Sequence, residues 1–331
     1  MVQGLSVLQF VVNGLVVGSI YVLGATGLTL IYGVRKFANF AHGDMMTFGA
    51  YMAFLMNVMW FQDILWGFVF AIVMTAVLGI VMEILVFNKL SERGPVAALV
   101  ASIGITIFLQ NFLNVLFGTR INQYNIRLTQ NVPLLVVNGA IVVSINPLRG
   151  IATLFVGAAL IVFLHALLTR TLLGKSMRAT ADNPDLARAS GIKVRNVVLW
   201  TWGLSGAMAG VAGVLLGIFI DVRPGLGFNI LLFIFAAVIV GGLGSPYGAM
   251  LGGFIVGIAQ ELSAALLDWL GRPTVIGLEN PNAYRPVVAF VIMLLVLLLR
   301  PGGLAAGRVA VLRTGRGIFR WPKALKAEDR E

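Results

Sequence analysis

Long apolar runs separated by short polar connections occupy most of this chain of 331 residues. A helix that crosses a bilayer needs about 20 mostly apolar residues. By that criterion the pattern predicts spans at 8–32, 44–60, 64–87, 96–117, 151–169, 197–220, 228–243, 249–270 and 286–299. The segment 228–243 is short enough to re-enter the membrane instead of crossing it. We therefore expect an all-α polytopic membrane protein with eight or nine transmembrane helices.

One polar stretch, residues 171–195, interrupts the apolar pattern and is called the polar loop below. Asp182 or Asn183 is suited to cap a short helix that begins at Pro184. Gly191 favours a left-handed residue at the end of that helix. Since so short a helix is unstable alone, it must dock on its own bundle or on another protein.

The largest loop predicted on the other side of the membrane, residues 118–150, contains two apolar runs, one before and one after Asn138 and Gly139. An Asn-Gly pair between apolar runs is typical of a tight β-hairpin turn. The sequence therefore predicts a small external β-hairpin. Such a hairpin could serve as a lid, as a docking surface for an extracytoplasmic partner, or as a cap that closes the bundle.

Composition agrees with burial in lipid. The chain is 59% hydrophobic and 11% charged, with a mean hydropathy of +0.95, whereas soluble domains carry about 25% charged residues. Cysteine is absent, which excludes disulfides, thiolate metal sites and cysteine nucleophiles. The two histidines cannot by themselves make a typical metal cluster, so we expect no metal and no cofactor in this chain.

The net charge of +11 would suit nucleic-acid binding, but the basic residues sit in loops and in the tail. With the polar loop placed in the cytoplasm, eighteen of the 24 Lys and Arg residues fall on the cytoplasmic side and six on the other. This asymmetry follows the positive-inside rule. It predicts an external N-terminus, a cytoplasmic C-terminus and no nucleic-acid partner.

Ionisable residues inside a membrane often mark substrate pathways. Asn39, His42 and Asp44 form a polar connection between two spans, and either line a substrate or gate site or make an ordinary turn in which Asp44 caps the second span. Asn111 and Glu261 are weaker pathway candidates.

Glycines recur at a spacing of four residues, which places pairs of them on one helix face. Small residues let membrane helices approach closely. The spacing therefore indicates a close-packed bundle, either static or able to slide, with pairs at Gly14/Gly18, Gly206/Gly210, Gly213/Gly217, Gly248/Gly252 and Gly253/Gly257.

Four ordered segments carry a family resemblance: 177–192 (MRATADNPDLARASGI), 27–44 (with GLTLIYG and NFAHGD), 241–249 (GGLGSPYGA) and 300–304 (RPGGL). They resemble the permeases of branched-chain amino acid ABC importers, and are most similar to the LivH-like member of the permease pair. The resemblance covers about residues 8 to 308. It implies the ABC importer permease fold, with a transmembrane domain at 1–308 and a basic cytoplasmic tail at 309–331.

The resemblance also implies partners: a second homologous permease, two cytoplasmic ABC ATPase subunits, a periplasmic substrate-binding protein and membrane lipid. ATP would be bound by the ATPase subunits, because no Walker A pattern occurs in this chain. The protein would thus be a transport subunit of the inner membrane and not an enzyme. The polar loop would dock on the ATPase through Arg178, Asp182, Pro184, Asp185, Leu186, Arg188 and Gly191.

The cargo implied is a branched-chain amino acid, with urea, a short amide or another small organic solute as the alternative. Two other functions compete. The string from Gly203 to Gly206 matches the Gly-x-Ser-Gly motif of rhomboid-like proteases, but no histidine follows His165 to serve as their general base. A secondary carrier needs no ATPase, and would have less need for a docking helix.

Overall fold

A computed structural model describes residues 2–127, 130–137, 140–270, 280–300 and 302–304. The described residues are mostly helical. The α-helices are α1 Val2–Arg35, α2 Ala41–Phe54, α3 Ile64–Met82, α4 Asn88–Leu90, α5 Pro95–Phe117, α6 Ala152–Arg170, α7 Leu172–Asp182, α8 Pro184–Ala189, α9 Val194–Phe219, α10 Leu226–Gly241, α11 Pro246–Leu270 and α12 Arg285–Leu299.

Short π-helical segments extend three of these helices. Leu55–Met59 lengthens α2, Glu83–Phe87 joins α3 to α4, and Pro147–Ile151 leads into α6. Each π-helical turn accommodates an extra residue without breaking the helix. Two strands, β1 Val132–Val137 and β2 Ala140–Ile145, pair antiparallel. The expected all-α membrane fold with a small hairpin is confirmed.

Six of the described helices are long and apolar enough to cross a bilayer: Val7–Arg35, Ile64–Leu90, Pro95–Phe117, Pro147–Arg170, Val194–Phe219 and Pro246–Leu267. The shorter apolar helices α10 and α12 coincide with the predicted spans 228–243 and 286–299. The predicted span 44–60 is formed by α2 and its π-helical extension.

The short helix α10 begins inside the bundle. The amide of Gly227 donates to the hydroxyl of Thr47 on α2 at 2.9 Å. The connection from α9 to α10 is held by paired backbone hydrogen bonds of 2.8 Å between Asn122 and Val222. Helix α10 has only 16 residues, and it packs against α11, α2, α12 and α1.

Helix α9 is the centre of the bundle, buried along most of its length, and it packs against α1, α2 and α3. In contrast, α3, α5 and α6 expose most of their apolar surface, as expected for helices that face lipid. Helices α1 and α11 run antiparallel in close contact, since a Cβ built on Gly14 would lie 2.6 Å from the Cα of Ile258. The predicted close packing of glycine faces is therefore present.

The two ends of the bundle are distinct. At the polar-loop end, Gly33 of α1 lies beside Ala181 of α7, and a Cβ on Gly33 would be 3.7 Å from that of Ala181. At the opposite end, the hairpin is joined to the start of α1, because Gln9 exchanges hydrogen bonds of 2.8 and 3.0 Å with the backbone of Ser144. The inner residues Val143 and Ile145 are buried. These contacts favour a cap, while the exposed β1 leaves a docking role open.

The predicted turn at Asn138 and Gly139 and the basic tail at 309–331 lie outside the described residues.

Candidate functional site

The polar loop folds into two consecutive helices, α7 and α8, where the sequence predicted only the second. Thr171 caps α7, since its hydroxyl accepts from the amide of Gly174 at 3.0 Å. Gly174, Met177 and Thr180 recur every three residues and form the buried face of α7. The sequence did not predict α7, because its buried face consists of only three residues among polar ones.

Helix α8 begins as the sequence indicates, with Asn183 as the capping residue. Its side-chain oxygen accepts from the amides of Asp185 and Leu186, both at 3.0 Å. Asp182, the other capping candidate, is the last residue of α7. Pro184 occupies the first helical position, where its missing amide costs no hydrogen bond.

The end of α8 is a Schellman motif. Gly191 adopts φ +84°, and its amide donates to the carbonyl of Arg188 at 3.0 Å, while the amide of Ile192 donates to Ala187 at 3.0 Å. A Cβ on Gly191 would meet no atom within 4 Å, so its backbone angle and not its surroundings favours glycine. Both ends of this helix of six residues are thus fixed.

Helix α8 presents an unpartnered apolar residue to solvent. Leu186 is 64% exposed, while its neighbour Ala187 is 2% exposed and faces the bundle. Beside Leu186, Asp185 and Arg188 form an exposed ion pair of 2.7 Å. All seven predicted docking residues are exposed. An apolar centre with a charged rim is the usual composition of a protein–protein contact.

A buried ion pair lies at the same end of the bundle. Arg35, at the end of α1, binds both carboxylate oxygens of Glu83 on the π-helical segment after α3. Glu83 is 2% exposed, so it does not reach water from a helix end. Arg195, the second residue of α9, lines a small crevice together with Arg35 and Glu83. This cluster therefore connects α1, α3 and the first turn of the central helix.

Replacing Glu83 by glutamine is expected to destabilise the protein by about 3 kcal/mol, because Arg35 would remain partly buried without its counter-charge. The measurement is the thermal unfolding midpoint of the purified protein in detergent. The matched control is Asp185→Asn, which breaks an ion pair that is exposed on both sides and should leave the midpoint almost unchanged. Equal midpoints for the two variants would contradict the structural role of the Arg35–Glu83 pair.

The polar residues Asn39, His42 and Asp44 are all fully buried at the start of α2. Asn39 shapes the turn, since its side-chain oxygen accepts from the amide of Ala41 at 3.1 Å. His42 packs against Gly27 of α1, where a Cβ would lie 2.9 Å from the ring. Within the described part of the chain, no well-aligned hydrogen bond reaches either ring nitrogen of His42.

Asp44 does not cap α2, which corrects the alternative interpretation of this turn. Its two carboxylate oxygens accept from the Gln110 amide of α5 at 3.2 and 3.3 Å. The Thr106 hydroxyl lies close to the same carboxylate. Gln110 and Thr106 were not singled out in the sequence, although their spacing of four residues places them on one face of α5. The result is a polar contact between α2 and α5 inside an otherwise apolar bundle.

The two weaker pathway candidates lie elsewhere. Asn111 is exposed on α5, and its side chain donates to the carbonyl of Ile107 at 2.8 Å. Glu261 lies toward the opposite end of α11 and pairs with Arg285 at 3.7 Å. The structure therefore buries Asn39, His42 and Asp44 in one segment at the start of α2, where His42 faces α1 and Asp44 faces α5, and it places Asn111 and Glu261 elsewhere.

The protease-like string contains a serine that is engaged in packing. The buried hydroxyl of Ser205 on α9 donates to the carbonyl of Gly27 on α1 at 2.8 Å. His42 also contacts Gly27, but no hydrogen bond within the described chain joins the two side chains. Ser205 therefore holds α9 against α1.

Fold and site together define a multi-pass helical membrane protein with an exposed helix, α8, capped at both of its termini, at one end of the bundle. The chain belongs to the permease component family of the branched-chain amino acid transport system, whose family model matches residues 10–297. It is 35% identical to the high-affinity branched-chain amino acid transport system permease protein LivH of Escherichia coli K12, over 91% of this chain and 96% of that protein. The expected family resemblance is confirmed.

Two further relatives agree with this assignment. The corresponding permease BraD of Pseudomonas aeruginosa is 33% identical over 90% of this chain and 95% of its own. A probable LivH of Methanocaldococcus jannaschii is 30% identical over 88% and 90%. A solved chain of PsaBC from Streptococcus pneumoniae covers 91% of this chain and 94% of its own, at 14% identity and a TM-score of 0.45, which is too distant to support an argument.

Proposed function

We propose that this chain is a permease subunit of an ATP-driven importer that moves branched-chain or other hydrophobic amino acids across the inner membrane. The observation that carries the proposal is family membership over nearly the whole chain, together with the exposed, doubly capped helix α8. In this proposal the N-terminus is external and the C-terminus is cytoplasmic.

The proposed assembly contains a second homologous permease, two cytoplasmic ABC ATPase subunits and a periplasmic binding protein. The polar loop would seat α8 in a groove of one ATPase subunit, with Leu186 at the centre of the contact. Force applied to α8 would pass directly to α7 and α9, both of which contact it. From there α7 and the Arg35–Glu83 cluster lead into α1 and α3.

We also propose that Asn39, His42 and Asp44 lie at or beside the substrate pathway. Burying polar side chains in a membrane bundle is costly, and residues of this kind often mark a substrate pathway. The contact of Asp44 with Gln110 supports a polar interface between α2 and α5, at which the two helices could separate during transport. Asn111 and Glu261 stay weaker candidates, since Asn111 bonds the carbonyl of Ile107 in its own helix and Glu261 pairs with Arg285 of α12.

Reconstitution tests the proposal. The chain, co-purified with its second permease and ATPases in proteoliposomes, should hydrolyse ATP faster when leucine-loaded binding protein is added, and should accumulate leucine against a gradient. The chain alone should do neither. Uphill uptake by the chain alone, driven by an ion gradient, would support a secondary carrier instead. ATP-driven uptake of urea or a short amide without leucine would shift the cargo to the alternative.

A further inference from the structure

A cavity of about 540 Å³ opens at the end of the bundle opposite the polar loop and is called the outer cavity below. Its walls come from the turn between α2 and α3, from residues 125–127 and from Leu148 before α6. Its size lies within the range of about 300–1,000 Å³ that is typical of small-molecule sites. It is separate from the polar cluster at Asn39, His42 and Asp44, none of which lines it.

Two opposite charges face this cavity. Asp63, at the start of α3, and Arg127, in the loop after α5, both line it and both are exposed. Among the described residues, neither side chain forms an ion pair with the other or with a third group. A ligand that carries one positive and one negative group could therefore bind both without breaking an existing pair.

The walls are held together by a buried amide. Asn57 is 4% exposed, and its side-chain oxygen accepts from the amide of Asn125 at 2.7 Å, while its nitrogen donates to the carbonyl of Gln62 at 3.0 Å. One side chain thus fixes the wall that carries Asp63 relative to the wall that carries Arg127. A site fixed in this way loses little entropy when a ligand binds.

The cavity also offers apolar surface. Ile64, Ile126 and Leu148 are half-buried along its lining. Phe61, held at φ +55° in the turn, is 84% exposed at its edge. Aliphatic side chains beside two opposite charges are complementary to an amino acid with an aliphatic side chain.

We propose that the outer cavity binds a zwitterionic aliphatic amino acid, with its ammonium group at Asp63, its carboxylate at Arg127 and its side chain against Ile64, Ile126 and Leu148. The inference rests on the proposed function for the identity of the cargo. It assigns this chain a receiving site for substrate at the opposite end from the docking helix.

Because the chain has no cysteine, one introduced thiol reports on this cavity alone. Phe61→Cys in the assembled permease–ATPase complex should react with a maleimide, detected on the band of this chain. Leucine alone, without binding protein, should slow that reaction. Isoamylamine lacks the carboxylate of leucine and 4-methylpentanoate lacks its amino group. Each should protect only at concentrations about tenfold higher or more, because each loses one charge-assisted contact.

The charged residues are tested in the same background. Asp63→Asn and Arg127→Gln should each raise the leucine concentration for half-protection about tenfold. Arg120→Gln neutralises a charge of the same loop outside the cavity lining and should leave protection unchanged. Ile121→Cys places a thiol at the same end but outside the lining, and this thiol should react at the same rate with and without leucine.

Leucine uptake by the same complex with its binding protein separates the two proposals. Normal uptake by the Phe61→Cys complex, without protection of its thiol by leucine, would overturn the outer cavity as a site and leave the proposed function intact. Protection by the binding protein but not by leucine would also overturn it, since the cavity would then be a docking surface. Protection that survives both Asp63→Asn and Arg127→Gln would overturn the charge assignment.

Discussion

Leu186→Glu is expected to abolish ATP-driven uptake while the permease stays folded and inserted. Leu186 is exposed on α8 and makes no contribution to the buried core, so its replacement should not disturb the bundle. In the proposed assembly it would lie at the centre of the ATPase contact, where losing an anchor residue costs about 2 kcal/mol or more. We therefore expect the affinity for the ATPase subunits to fall at least about tenfold. The measurement is ATPase retention on tagged permease and leucine uptake in proteoliposomes.

Leu172→Glu is the matched control for that change. Leu172 is also a highly exposed leucine of the polar loop, but it begins α7 and lies outside α8. A carboxylate in the first turn of a helix is favourable, so this variant should fold normally. If both variants retain the ATPase and transport at the normal rate, α8 is not the docking element. If both variants lose the ATPase, the contact surface for the ATPase extends beyond α8.

Gly191 offers a separate test of the same helix through its backbone. Its left-handed angle is needed for the Schellman motif, and no neighbouring atom opposes a side chain. A β-branched residue there would shift the end of α8 without altering Leu186. The geometry of the loop and the chemistry of its surface are therefore separable in this protein.

The sequence predicted the features that depend on local rules. The start and end of α8 follow from the capping power of Asn183 and the conformational freedom of Gly191, which act within a few residues. The strands at 132–137 and 140–145 follow from two apolar runs separated by an Asn-Gly pair. Segment length also identified α10 as unusually short.

The features that were missed depend on packing between distant segments. The ion pair of Arg35 with Glu83 joins α1 to the end of α3 across 48 positions of sequence. Asp44 was interpreted as a possible cap, but its partner Gln110 lies 66 positions away. Such pairs could not be derived from one sequence, because the spacing within a helix does not determine which neighbouring helix it faces.

The outer cavity belongs to the same category. Asp63 and Arg127 read along the chain as two ordinary loop charges, separated by α3 and α5. In the folded chain, the contact of Asn57 with Asn125 helps to place their segments side by side. The opposite charges of this cavity and the exposed leucine of α8 lie at opposite ends of one bundle, connected by the central helix α9. In the proposed importer, movement at α8 would reach the outer cavity through that helix.

Gly213→Leu is expected to prevent the bundle from folding, because α9 is packed against α2 at backbone contact. A Cβ on Gly213 would overlap the carbonyl of Met46, so even the first carbon of a side chain has no room. Helix α2 also packs against α3, so a shift of its backbone away from α9 would disturb that second contact. Overpacking in a well-packed core usually costs about 1–3 kcal/mol, and a collision with backbone belongs at or above the upper end of that range. The measurement is the fraction of protein that survives detergent extraction as a monodisperse peak.

Gly104→Leu supplies the control, since it places the same residue in a membrane helix with open space around it. No atom lies within 4 Å of a Cβ on Gly104, which is on the exposed side of α5. Lipid accepts an added leucine side chain at no packing cost, and leucine favours a helix more than glycine does. Recovery of Gly104→Leu at the normal level beside loss of Gly213→Leu would locate the sensitivity in the glycine contacts of α9. Equal recovery of the two would contradict close packing at the centre of the bundle, and with it the proposed route from α8 to the rest of the protein.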